Sequence, residues 1–181
     1  IRPNLNIFKL ERLTGIHMPS IIKSETIIKD NIEILANRLN QEYQNIDTLD
    51  VICFVNGASM FCSDLIKLIT VPIRLHHFGF SSYQDMPSSG QVKIEQDLKD
   101  HIEDRHVLLL EGLVISGRTP LYLFNFFKSR KPASLKLCAV GVKRKQIEVD
   151  LEVDYHMFDF EDEWIEGYGI GGISTKCLPY L

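Results

Sequence analysis

The run His106-Val107-Leu108-Leu109-Leu110-Glu111 leads directly into Gly112-Leu113-Val114-Ile115-Ser116-Gly117-Arg118-Thr119-Pro120, and it restricts the fold more than any other stretch of the chain. Its apolar residues follow neither the alternation of a half-solvated strand nor helical spacing, so they suit a strand covered on both faces. Such a strand needs helices above and below it, which implies a mainly parallel sheet with crossover connections. Thr119 is the expected N-cap of the next helix, with Pro120 in its first position. Leu49 to Val55 is a second run of this kind and ends at Asn56-Gly57.

The remaining segments fit the same alternating α/β plan. From Ser24, an N-cap residue, Ile27, Ile28, Ile32, Leu35 and Leu39 recur at helical spacing and predict a helix to about Tyr43. Helical periodicity returns from Met60 to Ile69, and Val71 to His76 predicts another strand. Phe78 to Val92 is polar and long enough for an extended hairpin or mobile flap. Ser134 to Val142 and Val153 to Phe158 supply further strands. Ile1 to Lys23 has no clear periodicity, and no repeat or low-complexity tract is present.

Composition narrows the functional classes. With 181 residues, 45% of them hydrophobic, the chain suits a single domain, 1–181. Charged residues are interspersed and the net charge is −4, which argues against a nucleic-acid-binding face. A small anion remains accessible to a local loop. Cys53, Cys62, Cys138 and Cys177 lack metal-binding spacing and are expected as reduced thiols in a cytoplasmic protein. No apolar stretch approaches the ~20 residues of a membrane span.

Ligands of open parallel sheets bind beyond the carboxyl ends of strands. Two turns qualify, Val55-Asn56-Gly57-Ala58 and Glu111 to Thr119. In the second, Gly117 permits a tight turn, Ser116 and Thr119 offer hydroxyls, and the following helix presents free N–H groups and a positive dipole end. Phosphate suits those groups best. By spacing alone an ordinary capped strand-to-helix loop remains the better account, because short Gly/Ser motifs are common.

Leu108 to Thr119, LLLEGLVISGRT, resembles the ribose-phosphate signature of hypoxanthine-guanine phosphoribosyltransferases. Collinear similarities follow from Leu49 to the C-terminus. Val55-Asn56-Gly57-Ala58 falls at the family's pyrophosphate loop, and Ser82-Tyr83 with Ser88-Ser89-Gly90 at its catalytic flap. Lys131 to Lys136 resembles its turn into the next strand, Val142-Lys143-Arg144 its base-reading strand, and Asp162 to Gly169 its purine-covering hood.

The resemblance implies a type I phosphoribosyltransferase fold: a central, mainly parallel sheet flanked by helices, a core over about 24–158, a flexible flap, and a small hood from 159–181 with the N-terminal segment. It implies transfer of the 5-phosphoribosyl group of phosphoribosyl pyrophosphate to hypoxanthine or guanine, with Mg2+, giving a purine nucleoside monophosphate. The backbone and hydroxyls from Gly112 and Ile115 through Ser116, Gly117, Arg118 and Thr119 would hold the 5′-phosphate and ribose, and Glu111 the ribose hydroxyls. Lys143 would donate to the 6-oxo group, Trp164 would stack on the base and Ile165 would read its edge through its backbone. Ser82 and Tyr83 would close over the pyrophosphate, which Asn56, Gly57 and Lys176 would contact. A homodimer or homotetramer is expected by the same resemblance.

Several family residues are replaced. The second ribose acid is Gly112, the acid that assists proton removal from the purine is Ile115, and the magnesium-assisting hood aspartate is Gly171, leaving Glu111 for the metal. Asn56 stands for a basic residue, and Lys176 aligns with a late arginine only across a one-residue deletion. A lost general base typically removes ~10²–10⁴ in rate. Two readings follow: a salvage transferase, slow if these losses are uncompensated, or a catalytically weakened relative that binds purine nucleotides as a regulator or sensor. A dinucleotide-binding oxidoreductase, prompted by Gly167 to Gly172, fails for want of a strand and helix after those glycines. His76, His77 and His106 are expected in core or surface roles rather than as substitute bases.

Overall fold

The computed structural model describes residues 21–82, 92–171 and 178–181. In chain order the elements are α1 (Glu25–Glu42), β1 (Leu49–Val55), α2 (Ser59–Leu65), β2 (Ile73–Ser82), β3 (Val92–Gln96), β4 (His106–Val114), α3 (Arg118–Lys128), β5 (Ser134–Val142), a 3-10 turn (Arg144–Gln146) and β6 (Tyr155–Asp159). The six strands form one sheet ordered β3-β2-β1-β4-β5-β6. All neighbours are parallel except the β2–β3 pair.

Both apolar runs lie in the middle of this sheet, and their side chains alternate between two cores. Leu49, Val51 and Cys53 of β1 and Leu108 and Leu110 of β4 face α1 and α2, meeting Ile28, Ile32, Leu35, Leu39 and Phe61. Ile52, Phe54, Val107 and Leu109 face the other way, against Leu123 and Phe127 of α3 and Phe78 of β2. Phe78 and Phe127 meet edge to face with centroids 4.9 Å apart. Burying each such side chain stabilises the fold by roughly 1.5–3 kcal/mol.

Ser24 caps α1 as expected, its hydroxyl accepting from the Ile27 amide at 3.3 Å. Several boundaries differ from the sequence expectation: β4, expected to give way to a loop after Glu111, runs on to Val114, because Leu113 and Val114 still pair with Gly141 and Val142 of β5, and β6 is shifted to Tyr155–Asp159. The helix expected over Met60 to Ile69 ends at Leu65. The strand expected to stop at His76 runs on to Ser82, and β3 starts at Val92. The polar segment therefore contributes strand at both its edges, paired antiparallel from Gly79↔Gln96 to Ser82↔Val92. Helix α3 begins at Arg118 with Gly117, at φ +79°, as its N-cap. Thr119 is thus the second helical residue and Pro120 the third, because a glycine in the left-handed region lets the chain turn earlier than a side-chain cap would.

Candidate active site

Strand order reverses at β1: β2 follows it on one side through α2, and β4 lies on the other. The turns after β1 and β4 therefore emerge side by side at the sheet's carboxyl edge, where such sheets bind ligands. Gly112 sets their separation. A Cβ built on it would lie 2.7 Å from the Gly57 carbonyl oxygen and 3.3 Å from Ile170 Cγ1, so no larger residue fits there without backbone movement.

Glu111 stands at this junction. Its Oε1 accepts from the Gly112 amide at 2.7 Å. Burial pushes its carboxyl up to about 7, against the opposing effect of that amide. A half-buried acid held near neutrality towards the carboxyl end of a central strand is a candidate functional position.

The turn beyond Val114 presents backbone. Ser116 has its carbonyl occupied by the Glu148 amide at 3.0 Å, and its Oγ lies 3.4 Å from the Arg118 amide. Gly117 offers α3 no side-chain cap; in the first turn the Arg118 amide donates to Ser116 Oγ, the Leu121 amide donates to Gly117 O and Pro120 has no N–H, which leaves the Thr119 amide and the positive dipole end for a ligand. Arg118 pairs with Glu148 at 2.7 Å, both exposed. Ile115, at the start of this turn, is 42% exposed.

Lys143 follows β5 immediately, its amide donating to Val114 O at 2.9 Å. Its side chain is buried, and Nζ donates to the Glu163 carbonyl at 2.7 Å. That bond ties the strand end to the segment carrying Trp164 and Ile165. Ile165 is buried, whereas Trp164 is 80% exposed. The hood is also fastened by Tyr168, whose hydroxyl donates to Asp64 Oδ2 of α2 at 2.8 Å; burial and that carboxylate push its phenol up.

The structure thus brings together Asn56, Gly57, Glu111, Gly112, the 115–119 turn, Lys143 and the hood residues Trp164, Ile165 and Gly171. Ser82 ends β2, while Tyr83 and Lys176 lie outside the described residues. Sequence reasoning missed Glu148, Asp64 and Glu166, which hold the turn and the hood, since no spacing rule connects them to the motifs. The three histidines are not at this edge. His76 is buried against Asp50 at 2.7 Å, His77 is exposed, and His106 Nδ1 lies 2.8 Å from Ser134 Oγ at the start of β4.

A mainly parallel sheet flanked by helices, with a glycine-bearing turn after its central strand and a buried lysine bonded to the 163–165 segment, is the fold of a type I phosphoribosyltransferase. Residues 20–170 match the phosphoribosyl transferase domain, and the chain belongs to that family. It is 36% identical over 163 residues to the hypoxanthine-guanine phosphoribosyltransferase of Streptococcus thermophilus, covering 89% of this chain and 90% of that one. It is 32% identical over 166 residues to the hypoxanthine-guanine phosphoribosyltransferase of Dictyostelium discoideum, with 89% and 92% covered. Among solved structures, the hypoxanthine phosphoribosyltransferase from Trypanosoma cruzi in complex with the product IMP superposes with a TM-score of 0.83 at 30% identity, covering 88% of this chain and 90% of that one.

Proposed function

We propose that this transferase moves the 5-phosphoribosyl group of phosphoribosyl pyrophosphate to a ring nitrogen of hypoxanthine or guanine, releasing pyrophosphate and giving IMP or GMP. One observation carries the reading: the Glu111 carboxyl, the uncapped turn from Ile115 to Thr119 and buried Lys143 share one edge of the sheet under one hood. The turn amides and the hydroxyls of Ser116 and Thr119 hold the 5′-phosphate, and Glu111 accepts from the ribose hydroxyls. Lys143 selects a 6-oxo acceptor over an exocyclic amine, because an ammonium can only donate. Trp164 supplies the stacking face and Ile165 a backbone contact. Asn56, Gly57 and Lys176 contact the pyrophosphate, and Ser82 and Tyr83 close over it, keeping water from the electron-poor sugar carbon. The core over about 24–158 serves the sugar phosphate and the hood serves the base. The same reading carries a cytoplasmic homodimer or homotetramer.

Magnesium fits only as an ion carried largely by the substrate. Among the described residues no group of three or more His, Cys, Asp or Glu side chains could hold a metal, and Glu111 has Gly112 beside it in place of a second acid. Magnesium commonly binds one or two carboxylates together with substrate phosphates, and there it would neutralise charge on the leaving pyrophosphate. At position 115 the purine proton meets an isoleucine, so it leaves to solvent rather than to a positioned base.

The test is turnover of hypoxanthine and guanine with phosphoribosyl pyrophosphate and magnesium, run beside calorimetric binding of GMP. Product formation together with GMP binding is expected. GMP binding with no turnover would sink the transferase reading and leave a nucleotide sensor.

A further inference from the structure

Trp164 is the chain's one tryptophan, and it is 80% exposed. A ring this exposed has little packing to fix its rotamer, and a flat ligand would then meet the entropic cost of ordering it. In this protein the ring is held by other means. Indole Nε1 donates to Glu166 Oε1 at 2.8 Å.

Glu166 is in turn placed by what faces it. A Cβ on Gly171 would stand 2.7 Å from Glu166 Cγ and 3.1 Å from its Cβ. Gly171 has φ +91°, a conformation that glycine adopts without strain. The segment between the two residues is closed by reciprocal bonds between Gly167 and Ile170, at 2.9 and 2.7 Å. The bare backbone at 171 is therefore what gives the Glu166 stem its space. A side chain at 171 and Glu166 in its present position exclude each other.

We propose that Glu166 is a positioning residue for base recognition: its carboxylate fixes the Trp164 indole as a ready-made platform for a purine ring, and Gly171 is the vacancy that admits it. The inference rests on the reading of Trp164 as the stacking residue. It deepens that reading by naming what makes an exposed ring an ordered one, and it gives the glycine a role of its own.

A single tryptophan makes the test direct. Wild type, E166Q, E166A and G171A are compared by indole fluorescence anisotropy without ligand, by emission change on titration with GMP, and by calorimetric affinities for GMP and ribose 5-phosphate. E166A should lower the anisotropy and weaken GMP about threefold to tenfold, the cost of ordering one side chain. Its ribose 5-phosphate affinity should stay within about twofold, as expected when a contact to the base alone is lost. E166Q retains an oxygen that accepts from Nε1 and should match wild type. G171A reaches the same release from the other side and should copy E166A, so the proposal stays testable if either variant fails to fold. Unchanged anisotropy and GMP affinity in E166A and G171A overturn the proposal, as do equal losses for GMP and ribose 5-phosphate. If GMP binds wild type by calorimetry and leaves the Trp164 emission unchanged, the stacking reading itself fails and takes the proposal with it.

Discussion

The two ends of the parallel sheet each enclose a carboxylate, and they treat it in opposite ways. At the amino end Asp50 is 1% exposed. Its Oδ1 is met by His76 Nε2 at 2.7 Å, Arg74 Nη1 at 3.3 Å and Arg105 Nη1 at 3.5 Å. At the carboxyl end Glu111 has, among the described residues, a hydrogen bond from a backbone amide and no ion pair. The compensated burial of Asp50 serves the fold. An acid held near pH 7 without a cation costs stability, and that cost is sustained where a ligand uses the group.

The largest effect expected from this contrast is on stability at the amino end. Asp50→Ala leaves a buried histidine and two arginines without their shared acceptor and should cost about 3–5 kcal/mol in chemical denaturation. The folded fraction should bind GMP as wild type does, and a large loss of GMP affinity in that fraction would erase the division between the two ends.

At the carboxyl end, acids introduced at 115 and 112 should diverge according to room. Ile115→Asp puts a carboxylate at an exposed position, should change stability by no more than about 0.5 kcal/mol, and should raise kcat by up to about 10²-fold if a base is what the site lacks. Gly112→Asp would press on the Gly57 carbonyl and should cost about 1–3 kcal/mol with no gain in turnover. Equal behaviour of the two variants would mean that the close approach at Gly112 does not govern the site.

The smallest effect is a pH dependence. Burial raises the folded-state value of Glu111 above its ordinary 4.5 to about 7, so the folded protein holds this proton more tightly than the unfolded chain. The stability it contributes is complete below pH ~4.5 and is lost as pH rises through about 7. Glu111→Gln should remove that slope. In ligand-free protein compared at pH 5 and pH 8, the difference between wild type and variant should shift by on the order of 1–2 kcal/mol after allowance for solvent screening. A parallel pH profile in the variant would show that Glu111 does not titrate there.

Much of this contrast was legible in particular residues. Leu49 to Val55 and His106 to Leu110 announce strands covered on both faces, and Gly117 announces the turn that follows β4. The N-cap of α3 was misplaced at Thr119, because the turn is set by Gly117 at φ +79° and by the Glu148 amide bonding Ser116, a contact from a remote segment. His76 was rightly kept from the chemistry, although nothing near it in sequence pointed to Asp50. Glu166 is legible only as part of the Asp162 to Gly169 run, since its own contact depends on an indole two residues away turning back and on a side chain missing at 171.

The amino-acid sequence by itself determined the layers of this protein, the position of the glycine-bearing turn after its central strand and its family, because hydrophobic burial and turn geometry are written in residues that are neighbours along the chain. The tertiary structure alone decided which buried acid is neutralised, why Gly112 must stay small and what steadies Trp164. Each of those rests on atoms from separate elements meeting within a few ångströms, and Coulomb attraction, desolvation and steric exclusion act at that range whatever the separation along the chain.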